Sequence, residues 1–148
     1  FYYIPHLVKD SPDTTIDSRF KERQYTMVNP EYFKDVIDGM YLAVNAPPGS
    51  GGTAARARVD GLEICGKTGT AQNPHGKDHA VFICFAPKEN PKIAVAAYIE
   101  NAGFGGTWAA PIASLLVEKY INGTISREEL EKEVIGWNLM QNVKVKKP

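Results

Sequence analysis

Hydrophobic positions along the chain follow two periods, and the change from one to the other marks out the elements. After Pro30, the residues Tyr32, Phe33, Val36, Ile37, Met40 and Val44 recur at helical spacing. Asn29 can cap that helix, Pro30 suits its first position, where a backbone N–H has no helical partner anyway, and Asn45 with Pro47-Pro48 stops it. The pattern predicts a helix whose apolar face packs into the core. The runs Ala80 to Ala86 and Ile93 to Ile99 are short, continuous and apolar, and the turn-rich Pro87-Lys88-Glu89-Asn90-Pro91 divides them, which predicts two buried strands. Leu62-Glu63-Ile64-Cys65 leads into Gly66-Lys67-Thr68-Gly69-Thr70-Ala71, a third strand joined to the next through a hairpin at Asn73-Pro74-His75-Gly76.

Gly103 to Gly106 interrupts the apolar runs. Beyond it Trp108, Ile112, Leu115, Leu116 and Tyr120 form the apolar face of a second long helix, ending before Asn122-Gly123. Ser126 followed by Glu129 fits a capping box for a short third helix, and Lys144, Lys146 and Lys147 make a basic, solvated tail. At the other end, Tyr2-Tyr3-Ile4-Pro5 and Ser11-Pro12-Asp13 read as extended segments joined by turns, and Gly49 to Gly52 as a flexible crossing. The order extended, helix, three strands, helix defines an α+β chain, an antiparallel sheet with flanking helices. No repeat and no long linker divides it, so residues 1–148 are expected to form part of one domain, with 123–148 a short helix and tail.

Lys and Arg together number 17 and Asp and Glu 17, so no excess field steers the chain to nucleic acid, anionic lipid or an acidic partner. It begins Phe1-Tyr2-Tyr3, without an initiator Met, a charged-then-apolar leader or an apolar run of about 18 residues. That start suggests a processed chain or an excised piece. Cys65 and Cys84 fit no Cys-x-x-Cys motif. A hairpin at Asn73 to Gly76 would bring the two thiols near each other across the ladder, where bonding depends on strict geometry; a buried, unpaired pair is the expectation.

Gly61-Leu62-Glu63-Ile64-Cys65-Gly66-Lys67-Thr68 matches the phosphate-loop pattern G-x-x-x-x-G-K-T letter for letter. A phosphate loop opens a helix, whose amino terminus helps hold the phosphates. Here Gly69, Pro74 and Gly76 oppose a helix after Lys67, which argues against nucleotide binding. On a strand, Lys67-Thr68-Gly69-Thr70 would instead line a groove with an amine and hydroxyls, Gly letting a substrate backbone approach and the strand adding a peptide to the sheet. His75, Asp78, His79 and Cys84 lack the tight spacing of a zinc site and are read as a polar hairpin running into a strand.

Gly66-Lys67-Thr68-Gly69-Thr70-Ala71-Gln72, followed by His79-Ala80-Val81-Phe82-Ile83-Cys84-Phe85-Ala86-Pro87, resembles the Lys-Thr-Gly strand and its neighbour in class B penicillin-binding protein transpeptidases. Asn29-Pro30-Glu31-Tyr32, Gly51-Gly52-Thr53-Ala54 and Gly105-Gly106-Thr107 before Ala110-Pro111 are similar to that family in the same order. The likeness covers most of residues 1 to about 122 and is greatest to the cell-elongation type, penicillin-binding protein 2. That family usually has Gly where Cys84 stands.

The resemblance implies an incomplete penicillin-binding/serine β-lactamase-like transpeptidase domain that supplies the Lys-Thr-Gly wall of a peptidoglycan D,D-transpeptidase cleft. Lys67 would help hold the substrate's terminal carboxylate and support proton transfer; Thr68 and Thr70 would donate hydrogen bonds to that carboxylate, beside Gly69. The N–H of Thr70 would be one of two oxyanion-hole donors. No cofactor or metal is implied. The partners implied are the D-alanyl-D-alanine stem peptide, β-lactams, the upstream half of the same protein and a membrane glycan polymerase. The location implied is the periplasmic face of the bacterial inner membrane, through an N-terminal anchor.

Ser18-Arg19-Phe20-Lys21 fits the family's S-x-x-K by letter, but the family places that element well over a hundred residues before Lys-Thr-Gly, and no S-x-N or S-x-D lies between Lys21 and Lys67. Acylation needs a serine beside a base, so this chain alone is expected to be catalytically silent, the nucleophile lying upstream of Phe1. Two other functions remain open at this point: a serine β-lactamase, and a penicillin-recognising fold used only as a sensor or binding module.

Overall fold

A computed structural model describes residues 1–7 and 16–138, so Ser11-Pro12-Asp13 and the basic tail lie outside the described residues. The chain divides into two compact units, Phe1–Phe33 and Lys34–Pro148. In the first, Tyr2 and Gln24 exchange backbone hydrogen bonds of 2.8 Å each way, a single antiparallel bridge between extended segments. Ser18–Phe20 form one 3-10 turn, which Asp17 caps by accepting from the Arg19 N–H at 3.0 Å. Asn29 also behaves as its sequence suggests: its side-chain oxygen accepts from the Glu31 N–H at 3.2 Å, and its carbonyl from the Tyr32 N–H.

Helix α1 spans Tyr32–Asn45, and Val44 is its one buried residue. The expected core face is only partly covered: Ile37 and Met40 are half-buried beside Val44, while Tyr32 and Val36 stand at 60% and 59% accessibility. Polar bonds add to that limited apolar packing. The Asn45 amide donates to the Ile64 carbonyl at 2.8 Å, the Ala54 N–H donates to the Ala43 carbonyl, and Asp38 pairs with Lys34 and with Lys88, both at 2.6 Å. Hydrogen bonds from Lys34 and Lys88 pull the Asp38 carboxyl down to about 2.

Three strands, β1 (Cys65–Ala71), β2 (His79–Ala86) and β3 (Ile93–Ile99), form an antiparallel sheet in sequence order. In β2 burial alternates strictly: Ala80, Phe82, Cys84 and Ala86 are buried, and the residues between them are not. The buried set faces the second helix, α2 (Gly105–Asn122), and shares its core with Ala109, Ala110, Ala113 and Val117. Only part of the large apolar stripe expected to pack here does so: Leu115 is buried and Trp108 packs against the core, whereas Leu116 and Tyr120 are exposed. Alanines win this face because a helix lying close on a sheet leaves room only for small side chains. Gly123, left-handed at φ 75°, closes α2 by donating its N–H to the Lys119 carbonyl.

Helix α3 (Glu128–Ile135) follows, without the expected capping box. Ser126 instead gives both its N–H (2.7 Å) and its hydroxyl (2.6 Å) to Glu118, a fully buried carboxylate on α2. Arg127 completes that carboxylate's shell at 2.8 Å and reaches on to the Ser114 hydroxyl and the carbonyls of Arg56 and Arg58. Burial opposes ionisation of Glu118, but the donors from Ser126 and Arg127 outweigh it and hold its pKa below the ordinary value. One buried ion pair thus ties α2, α3 and the 3-10 turn Ala55–Ala57 together.

Cys65 lies opposite Phe85 and Cys84 opposite Gly66, so the two thiols project to opposite faces of the hairpin. Both are free and buried, and burial pushes each up to about 11.

Candidate active site

β1 is an edge strand, and its register divides the Lys-Thr-Gly segment between two faces. Thr68 pairs with buried Phe82, and Lys67 with half-exposed Ile83, so Thr68 and Thr70 share the face toward α2 while Lys67 and Gly69 share the other. An amine and hydroxyls lining one side of a groove was the simpler expectation; the two-residue period of a strand prevents it. The Lys67 amine folds back onto the Thr68 carbonyl at 2.7 Å. Thr68 and Thr53 join hydroxyls at 3.2 Å.

Thr68 and Thr70 open into a cavity of about 460 Å³. Its opposite wall is Gly52, Thr53, Ala55 and Arg56 from the crossing after α1, and Phe104 to Thr107 at the start of α2. Two glycines make that wall possible. A Cβ on Gly105 would run into the Val81 and Gly69 carbonyl oxygens, and one on Gly106 into the Thr53 carbonyl. Only there can the helix begin so close to the sheet.

Arg56 reaches the cavity through an arrangement that α2 itself creates. Pro111, inside α2, has no N–H to give to the Thr107 carbonyl four residues back. The Arg56 guanidinium takes that place, donating from Nη1 to the Thr107 carbonyl at 3.2 Å, while Nη2 reaches both oxygens of Glu133 on α3 at 2.7 Å. The cavity therefore gathers threonine hydroxyls, a guanidinium and the positive end of a helix. Donors and positive charge converging in this way suit an anion such as a carboxylate.

Lys67, Thr68, Gly69 and Thr70 are legible as site residues in the sequence, whereas Arg56 and Thr53 carry no predicted role there. The available signal is that Gly51-Gly52-Thr53-Ala54 and Gly105-Gly106-Thr107 match the same family; Gly52, Thr53 and Gly105 to Thr107 belong to the wall facing Thr68 and Thr70. The segment after Lys67 continues as strand rather than helix, unlike a phosphate loop. Asp78 accepts from the Asn73 N–H at 3.1 Å and His79 Nδ1 from the Asn101 N–H at 3.0 Å, while Cys84 lies on the other face of β2 from His79. No group of three or more His, Cys, Asp or Glu that would hold a metal occurs among the described residues. Ser18 lies in a turn with no buried residue.

The family model for the penicillin binding protein transpeptidase domain matches residues 1–118, and the chain belongs to that family. It is 37% identical over 144 residues to the peptidoglycan D,D-transpeptidase MrdA of Haemophilus influenzae, covering 84% of this chain and 22% of that protein. The crystal structure of penicillin-binding protein 2 of Pseudomonas aeruginosa is similar at 34% identity and a TM-score of 0.56, over 70% of this chain and 23% of that one. Penicillin-binding protein A of Mycobacterium tuberculosis, solved as an imipenem acyl-enzyme complex, is similar at 27% identity and a TM-score of 0.52, over 66% of this chain and 21% of that one. The chain thus spans under a quarter of the length of these relatives. No described helix is long and apolar enough to cross a membrane.

Proposed function

We propose that residues 1–148 are the C-terminal portion of one transpeptidase domain and supply the Lys67–Thr70 wall of the acyl-transfer cleft in a peptidoglycan D,D-transpeptidase. The observation that carries this reading is the cavity in which Thr68 and Thr70 of the edge strand face the start of α2, because it presents hydrogen-bond donors where a peptide carboxylate would end. A serine from another part of the full-length protein attacks the carbonyl between the two D-alanines of a stem peptide. Terminal D-alanine leaves, and the acyl group passes to an amine of a neighbouring strand. β-Lactams acylate the same serine; the mycobacterial relative was solved as an acyl-enzyme complex with one of them, imipenem.

Lys67 reaches the cleft from one face of the edge strand, Thr68 and Thr70 from the other. The two hydroxyls hold the terminal carboxylate, and the amine, on the other face of the same edge strand, supports proton transfer. The Thr70 N–H meets the charge that develops on the carbonyl oxygen; removing such a donor costs about a hundredfold or more in rate. Membership of the family supports a periplasmic location on the bacterial inner membrane and work beside a membrane glycan polymerase. Ser18 has no part in this mechanism.

The test is the intact mass of the full-length gene product after incubation with a fluorescent penicillin. One covalent adduct, mapping to a serine outside these residues, is expected, and none on the 148-residue chain alone. An adduct on Ser18 would overturn the assignment of the nucleophile. A folded full-length protein that takes no label would be a penicillin-recognising module without catalysis.

A further inference from the structure

The C-terminal helix α3 lies outside residues 1–118, the part matched by the family model, yet it touches the candidate site through one side chain. Arg56 lines the cavity with Thr68 and Thr70, and its Nη2 is held by both carboxylate oxygens of Glu133 at 2.7 Å. Planar guanidinium and carboxylate match in geometry, so any carboxylate in the cavity meets a group already shaped for it. The pair is partly exposed, at 37% and 48% of side-chain area, and such pairs add little stability. Exchanging one carboxylate for another on this guanidinium therefore costs little. Arg56 cannot swing far in doing so, because Nη1 stays on the Thr107 carbonyl and Arg127 holds the Arg56 carbonyl at 3.4 Å.

We propose that Arg56 is a binding residue for the terminal carboxylate of the acyl donor, and that Glu133 competes with that carboxylate for the same guanidinium. This rests on the transpeptidase reading above, and gives α3 a place in setting affinity. The proposal makes opposite predictions for the two partners. Removing Arg56 weakens recognition of a carboxylate, whereas removing the charge of Glu133 strengthens it; a pair that only held the fold together would lose in both cases.

The experiment compares acylation of the full-length gene product by benzylpenicillin and by its methyl ester. Arg56→Ala is expected to slow the acid at least tenfold and the ester less than twofold, with Arg56→Lys in between. Glu133→Gln is expected to speed the acid severalfold and leave the ester unchanged. Equal losses for acid and ester in Arg56→Ala, or a slower acid reaction in Glu133→Gln, would overturn the proposal. Absence of acylation in the unaltered protein would count against the transpeptidase reading alone. In that event NMR titration with N-acetyl-D-alanyl-D-alanine and its C-terminal amide decides, because a carboxylate preference that survives Arg56→Ala rules Arg56 out.

Discussion

On the face of the sheet toward α2, Ala80, Phe82, Cys84 and Ala86 are sealed at 4% accessibility or less; on the opposite face Ile83 and Tyr98 stand 48% and 57% exposed. The two faces draw on the same strands, so the difference comes from what lies over them. Small residues on α2 let the helix settle on the first face, and at the end where Gly105 and Gly106 begin the helix the packing gives way to a cavity. The Lys-Thr-Gly segment takes part in both surroundings. Its hydroxyls sit where the closed face opens into the cavity, and its amine sits on the open one. A strand thus lends one short motif a fixed half and a free half.

The largest test of that contrast falls on the clamp behind the closed face. Arg127→Ala would leave Glu118 charged, fully buried and without its ion pair, and is expected to destabilise the chain by about 3–5 kcal/mol in chemical denaturation. A loss below about 1 kcal/mol would mean that the clamp does not hold the closed face. Next comes Gly106→Ala, whose added methyl meets the Thr53 carbonyl; overpacking of this kind costs about 1–3 kcal/mol. A neutral result, read from the shift in denaturation midpoint, would show that the helix start yields and that the cavity wall is soft. Smallest is Ile83→Thr on the open face, which keeps a β-branched side chain and should move the stability of the 148-residue chain by no more than about 0.5 kcal/mol. A loss above 2 kcal/mol would abolish the distinction between the faces.

Much of this architecture was legible in the residues themselves. The strands stood out because Ala80 to Ala86 and Ile93 to Ile99 are unbroken apolar runs, and Asn29-Pro30 announced a helix start that the backbone uses as expected. What a single sequence hides is which apolar residues find a partner. Leu116 and Tyr120 belong by spacing to the same apolar stripe of α2 as Leu115 and Trp108, yet they are left exposed while the face against the sheet is filled by Ala109, Ala113 and Val117. The site shows the same division. Lys67 to Thr70 carry a motif, whereas Arg56 acquires its place only through Pro111 and Glu133, residues far from it along the chain. Ser126 illustrates the converse, since a local pattern predicted a cap and a long-range buried carboxylate claimed the hydroxyl instead.

Pro111 carries a consequence for how this chain can change over generations. By withholding one N–H it leaves the Thr107 carbonyl without its helical donor, and Arg56 supplies the substitute. A lineage that replaced Pro111 with an ordinary residue would restore the helix's own donor and remove the reason for Arg56 to stand where it does; one that lost Arg56 would leave that carbonyl unserved. The two positions are therefore expected to vary together among relatives that keep α3, a joint inheritance set by one missing hydrogen atom.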